Sequence, residues 1–312
     1  MEILLALVGL GVLASFVGGG SGGSSGGGSF GPGASGPPPT QDGTGASEAL
    51  AGTPFDDVIY GRGGNDTIQG DIGNDYLDGN SGDDEVYGDV GDDTVLGGDG
   101  NDTLGGGTGL DFLRGGAGDD VLRGGAGDDT LEGAQNRDFL QGDGGNDVLR
   151  AGPGADYLSG NLGNDSLEGG PGDDTLIGID GDYTSVPTSD GDGADTLEGW
   201  AGSDTIVLGN GDEAWGEFAT AAADGASDTF VSGTWITGAV PTVHDYDPAV
   251  DQLVLYYDPA INPSPAVAVN TTSPGGMTIH TLTLDGVALM QINAGTATYS
   301  INPATDVQLR TS

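Results

Sequence analysis

Sixteen aspartates recur at steps of nine: Asp57, Asp66, Asp75, Asp84, Asp93, Asp102, Asp111, Asp120, Asp129, Asp138, Asp147, Asp156, Asp165 and Asp174, then Asp195 and Asp204 after a break. Carboxylates so spaced could ligate a cation or merely solvate a surface. Few other reactive groups accompany them. The 312 residues include no Cys, no Lys and two His, His244 and His280. That excludes a disulfide framework, a thiol nucleophile and Cys-ligated zinc, and His-Glu-x-x-His zinc chemistry as well. Six Arg against 49 acidic residues, a net charge of −43, exclude a nucleic-acid partner, because a phosphate backbone needs clustered cations. Adhesion to an anionic membrane surface fails on the same ground. The expected partner is a cation. Ca²⁺ suits a site built only of oxygen, since it takes six to eight oxygens in irregular geometry. Mg²⁺ wants a stricter octahedron, and transition metals want imidazole or thiolate.

The aspartates sit at position six of a nonapeptide. Fourteen blocks run from Gly52 to Ile177 without a slip; a 12-residue insertion follows (178–189), and two more blocks fill 190–207. A degenerate copy reads ADGASDTFV at 223–231. Position six is Asp in all sixteen blocks and position eight is Ile, Leu or Val. Position four is Gly in fourteen, the exceptions being Phe55 and Asn136. Positions one to six are Gly-rich and predict a turn. Positions seven to nine predict a three-residue strand with one inward side chain.

One apolar residue in nine cannot make a core alone. Two blocks per coil, with coils stacked about 4.8 Å apart, solve this by lining up the position-eight side chains. The aspartates then fall on two edges. Asp57, Asp75, Asp93, Asp111, Asp129, Asp147 and Asp165 stack on one, and Asp66, Asp84, Asp102, Asp120, Asp138, Asp156 and Asp174 on the other. Like charges one layer apart repel, so a cation is expected between layers. Seven turns per edge leave about twelve gaps, each a candidate for one Ca²⁺. Residues 52–207 hold 35 acids and five Arg, a charge that so many ions would nearly cancel. The position-five acids, such as Asp83, Asp92 and Asp119, are expected to be solvated. The position-nine Arg114, Arg123 and Arg150 are expected to relieve acidic repulsion on the outer face. His244, His280, Trp200, Trp215 and Trp235 are read as sheet or packing residues.

The expected fold is all-β: a parallel β-roll (a right-handed β-solenoid with 18 residues per coil) followed by a C-terminal antiparallel β cap region. The chain divides into four segments. Residues 1–17 are a hydrophobic anchor or export segment, the one part expected to meet a membrane. Residues 18–47 form a Gly/Ser/Pro-rich flexible linker. Residues 48–207 form the roll, with the insertion at 178–189. Residues 208–312 form the cap region. Its expected strands are 251–257, 266–270, 277–284 and 287–293, with Asp285-Gly286 as a type I′ hairpin turn.

The block Gly115-Gly116-Ala117-Gly118-Asp119-Asp120-Val121-Leu122-Arg123 resembles the RTX (repeats-in-toxin, hemolysin-type) nonapeptide G-G-x-G-x-D-x-U-x at every fixed position. The resemblance covers about half the chain. It implies that the position-six Asp is the side-chain ligand for Ca²⁺, helped by turn carbonyls. It also implies export by a type I secretion machinery, folding on extracellular calcium, and a place outside or on the surface of a Gram-negative cell. RTX hydrolases and epimerases carry a separate catalytic domain, and RTX pore-forming toxins an acylated Lys. This sequence offers neither a defensible nucleophile–base–acid set nor any Lys, so no enzyme is expected and the expected role is structural or adhesive. The alternative is an export and folding module of an RTX hydrolase or epimerase. Two blocks depart from the pattern. Gly133–Gln141, with Asn136 and Arg137, predicts a weak site, and the first block, with Pro54 and Phe55, predicts a cap. The segment from Val243 to Pro248, with 251–255, resembles the stretch C-terminal to such rolls and would cover the open sheet edge.

Overall fold

A computed structural model describes residues 40–179, 193–216, 226–233, 236, 238–257, 259–260, 263–274, 277–295 and 300–311. The expected anchor, residues 18–39 of the linker, residues 180–189 of the insertion and Trp235 lie outside the described residues.

The nonapeptide dictates the topology. Each block contributes one strand, and successive block strands go alternately to two sheets, which hold fourteen and twelve strands among the described residues. Same-sheet neighbours are parallel and in register one coil apart, as in Val121↔Phe139 and Thr130↔Val148. Between the sheets runs one column of position-eight side chains. From Ile59 to Ile206 each is at most 1% exposed, and full burial of a Leu or Ile contributes about 1.5–3 kcal/mol. This is the expected parallel roll.

The strands are longer than the expected three residues. Thr103–Thr108 and Phe112–Ala117 each run through position three of the following block. The true turn is therefore positions four to six. Position four has left-handed φ in most turns, and a Cβ on Gly91 there would collide with the carbonyl oxygen of Gly73 in the layer behind. Asn136 replaces that glycine with φ 76°, which Asn tolerates.

The roll is also longer than the repeat count. Before the first counted block, Ala49–Ala51 pairs with Thr67–Gln69, and Thr40–Asp42 pairs with Val58–Tyr60. Residues 43–51 thus form one more half-coil, with Glu48 in place of the aspartate and Leu50 as its inward residue. The Pro54–Phe55 block is not the outermost layer. After the insertion, Thr205–Val207 pairs in parallel with Thr229–Gly233, that strand with Gln252–Tyr257, and that in turn with Val307–Thr311. In the other sheet Thr196–Ala201 pairs with Glu213–Trp215, which pairs with Thr242–Val243. Ala214, Phe230, Val243 and Leu253 extend the buried column.

The expectation of an antiparallel region from residue 208 therefore needs correction. Among the described strands only Val267–Thr272, Thr278–Leu284 and Val287–Gly295 pair antiparallel. Asp285 (φ 53°) and Gly286 (φ 85°) make the expected hairpin turn. The insertion also starts later than expected. The Gly178 amide donates to Val207 O (2.9 Å), as a position-one residue should, and Ile179 is buried in the core.

Candidate metal sites

Stacking fixes where every position-six side chain goes. Its own backbone N–H donates to Oδ1 of the aspartate in the next layer. One column runs Asp57, Asp75, Asp93, Asp111, Asp129, Asp147, Asp165, with links of 2.7–2.9 Å, and continues to Asp195 and Asp212. The other starts at Glu48 and runs Asp66, Asp84, Asp102, Asp120, Asp138, Asp156, Asp174, Asp204, Asp228, Asp251, with links of 2.7–3.1 Å. All sixteen sequence-predicted aspartates lie in these columns, each at most 4% exposed. They are interior groups, not surface charges.

The second oxygen is different. In fourteen turns, the twelve from Asp66 to Asp165 and those of Asp174 and Asp204, Oδ2 is buried without a hydrogen-bond partner. A buried, unpaired carboxylate oxygen is costly. These atoms crowd the position-one glycine. A Cβ on Gly79 would collide with Asp84 Oδ2 and come 2.9 Å from Gly97 O, a carbonyl of the next layer. Carboxylate and carbonyl oxygens thus converge with no donor between them.

Burial raises many of these carboxyls above the usual range. Asp93, Asp102, Asp129, Asp138, Asp147 and Asp174 rise to about 7, Asp120 and Asp156 to about 6, and Asp204 to about 8. The amide of the layer behind pulls the other way. For Asp102, the charges of Asp120 and Asp84 add to the rise. Among the described residues no three carboxylate or imidazole side chains gather at one point. A cation here must take part of its shell from main-chain carbonyls. An all-oxygen, irregular, anionic donor set fits Ca²⁺ and lacks the nitrogen or sulfur that transition metals prefer.

The expected weak site around Asp138 has no local defect. Asp138 keeps the ladder (2.7 Å to Asp156), and Arg137 turns outward to Asp119 (2.9 Å). The position-five side chains are exposed but ordered into a second ladder: Asn101 N to Asp83 Oδ1 (2.9 Å), then Asp119 N to Asn101 Oδ1 (2.8 Å). Arg150 pairs with Glu168 (3.3 Å), and Arg123 lies over the Phe139 ring. His244 stacks on Trp215 (4.3 Å), and His280 is buried against Thr271 (2.9 Å), so both His serve packing.

The end turns differ from the interior. Asp57 Oδ2 accepts from Thr53 N (2.6 Å) and Thr53 Oγ1 (3.0 Å) within its own turn. Glu48 Oε2 accepts from Thr44 N (2.6 Å), Asp212 Oδ2 from Gly209 N (2.6 Å), and Asp251 Oδ2 from Asp247 N (2.7 Å). Nonapeptide counting missed Glu48, Asp212 and Asp251. The signal was an acid two residues before an apolar one, in Glu48-Ala49-Leu50, Asp212-Glu213-Ala214 and Asp251-Gln252-Leu253.

The family model of the RTX calcium-binding nonapeptide repeat, four copies long, matches residues 42–77, 69–104, 105–140, 132–167, 141–176 and 189–212, together half of the chain. No curated protein matches the chain.

Proposed function

This chain belongs to the RTX calcium-binding nonapeptide repeat family, and on that premise we propose that it is a secreted or surface-attached repeat protein whose roll folds on extracellular Ca²⁺. The role is structural or adhesive rather than enzymatic. The observation that carries the reading is the set of fourteen buried, donorless carboxylate oxygens. Without a cation they oppose folding; with one between layers they become the ligands that join coil to coil. Binding free energy is then folding free energy. In a calcium-poor cytosol the chain stays extended, the form a type I exporter would pass. Outside a Gram-negative cell it would close into a rod. Calcium would sit on both edges, in up to about twelve gaps of the contiguous roll.

The test is a calcium titration of the metal-free chain, followed by far-UV circular dichroism and native mass spectrometry. The expected result is a cooperative gain of β signal with many ions bound. No gain at millimolar calcium, or a chain already folded without ions at about pH 8, where the buried carboxyls are ionised, removes the proposal.

A further inference from the structure

We infer that the backbone at position two decides which turns take an ion, a left-handed residue leaving the carboxylate open and a non-left-handed one closing it. The inference rests on the calcium reading above and adds a rule to it.

Two sets of turns carry the rule. In every layer from Arg62 to Gly170, and again at Trp200 beyond the insertion, position two has φ between 67° and 124°. These fourteen residues stand four before the fourteen aspartates whose Oδ2 lacks a donor. The donors of the end turns, Thr44, Thr53 and Asp247 four before their acid and Gly209 three before in a shorter turn, have no such φ. In their turns the N–H bends inward to the turn's own carboxylate.

The same donor is used in both states. In the interior it crosses to the position-one carbonyl of the next layer, as in Ala134 N to Ala151 O (2.7 Å) and Gly152 N to Gly169 O (3.0 Å). At the ends it satisfies the acid directly, and the reason for a cation is gone. At the first two turns residue type favours the closed state. None of the fourteen left-handed residues is β-branched. Thr44 and Thr53 are, and β-branched residues are true outliers at positive φ. Trp200 is held at φ 79° despite its bulk, so the open state is set by the backbone and not by small size. The position-two side chain is thus a positioning group: it acts through the backbone and the carboxylate.

The experiment uses the full chain and calcium alone, with bound ions counted by native mass spectrometry and affinity read by calorimetry. Asn80 (φ 71°) already carries a Cβ, so Asn80→Thr changes mainly the allowed φ. It should close the Asp84 turn and bind at least one ion fewer than the native chain, while Asn80→Gly keeps the native count. At the end turn, Thr53→Gly should open Asp57 and add an ion. Thr53→Val, β-branched but without the hydroxyl, should add none. The Thr53 pair decides the matter if Asn80→Thr does not fold. Counts and affinities unchanged in Asn80→Thr, or no added ion in Thr53→Gly, overturn the inference and leave the calcium reading standing. A native chain that takes up no calcium overturns both.

Discussion

Interior and end turns use the same carboxylate to opposite effect. In the interior, Asp102 gives Oδ1 to the Asp84 amide and leaves Oδ2 buried without a donor. At the ends, Asp57 and Asp251 spend Oδ2 on their own turns. An end turn is complete as a piece of protein; an interior turn is complete only with something added. The difference teaches where metal dependence lives. The stacked middle depends on the ion, and the closed turns at either end mark where that dependence stops.

The largest effect should come from removing the ion while changing pH. For interior aspartates such as Asp102 and Asp147 the folded value, about 7, stands above the ordinary 3.8. A raised carboxyl contributes stability that is full below the ordinary value and is lost as pH rises through the folded one. The metal-free roll should therefore be most stable near about pH 4 and weaken steadily to about pH 8. Calcium affinity should rise over the same window as protons leave. In chelator, far-UV circular dichroism should show β signal near about pH 5 and little at about pH 8. A metal-free spectrum that does not change across that range would contradict the burial of these groups.

Next in size is the apolar column. Leu122, fully buried, packs between layers on both sides, and Leu122→Ala should cost about 2–5 kcal/mol. Leu50, 9% exposed in the first coil, should cost less on the same change, about 2 kcal/mol. Both read out as a shift of the calcium midpoint for folding. Equal shifts would mean that the ends are as tightly built as the middle.

These columns were legible because nine residues map onto half a coil. Any residue fixed in the block is fixed in space, so Asp120 and Asp138 could be stacked on paper and stand one layer apart in the fold. The hairpin at Asp285-Gly286 was legible because only a few dipeptides accept two left-handed angles. Legibility failed where loops change length but register does not. Thr205 pairs with Thr229, and that with Gln252, so the coil continues while the period vanishes from the sequence. The open and closed states of position two were hidden for another reason. Arg62, Ala134 and Trp200 do not advertise a left-handed backbone, which the neighbouring layers impose.

A smaller effect separates the two kinds of aspartate. Asp120→Asn keeps the shape and the Oδ1 acceptor but removes charge from an open turn. It should lower the bound calcium count or weaken binding about tenfold, a change of about 1.4 kcal/mol. Asp57→Asn should leave the count unchanged, because Thr53 already supplies the donor. Native mass spectrometry of the two variants side by side reads the difference, and loss of an ion in Asp57→Asn would erase the distinction between end and interior.

The smallest effect belongs to the outer ladder, which runs opposite to the inner one. At position six each amide donates to the layer ahead, as Asp93 N does to Asp111 Oδ1 (2.8 Å). At position five each donates to the layer behind, as Leu110 N does to Asp92 Oδ1 (3.0 Å). Leu110 has no side-chain oxygen to pass the ladder on, and it is 59% exposed. Leu110→Asn should restore an acceptor for the Asp128 amide one layer on, the link that Asp128 Oδ1 itself gives Asn146 N (2.7 Å). A hydrogen bond open to water is worth little, so the gain should be at most about 1 kcal/mol. The calcium count should not move, since the position-five column faces solvent and the ions would be held by the column inside it. A denaturant midpoint slightly raised at saturating calcium, with unchanged stoichiometry, is the expected result. A changed stoichiometry would show that the outer acids share in holding the ions.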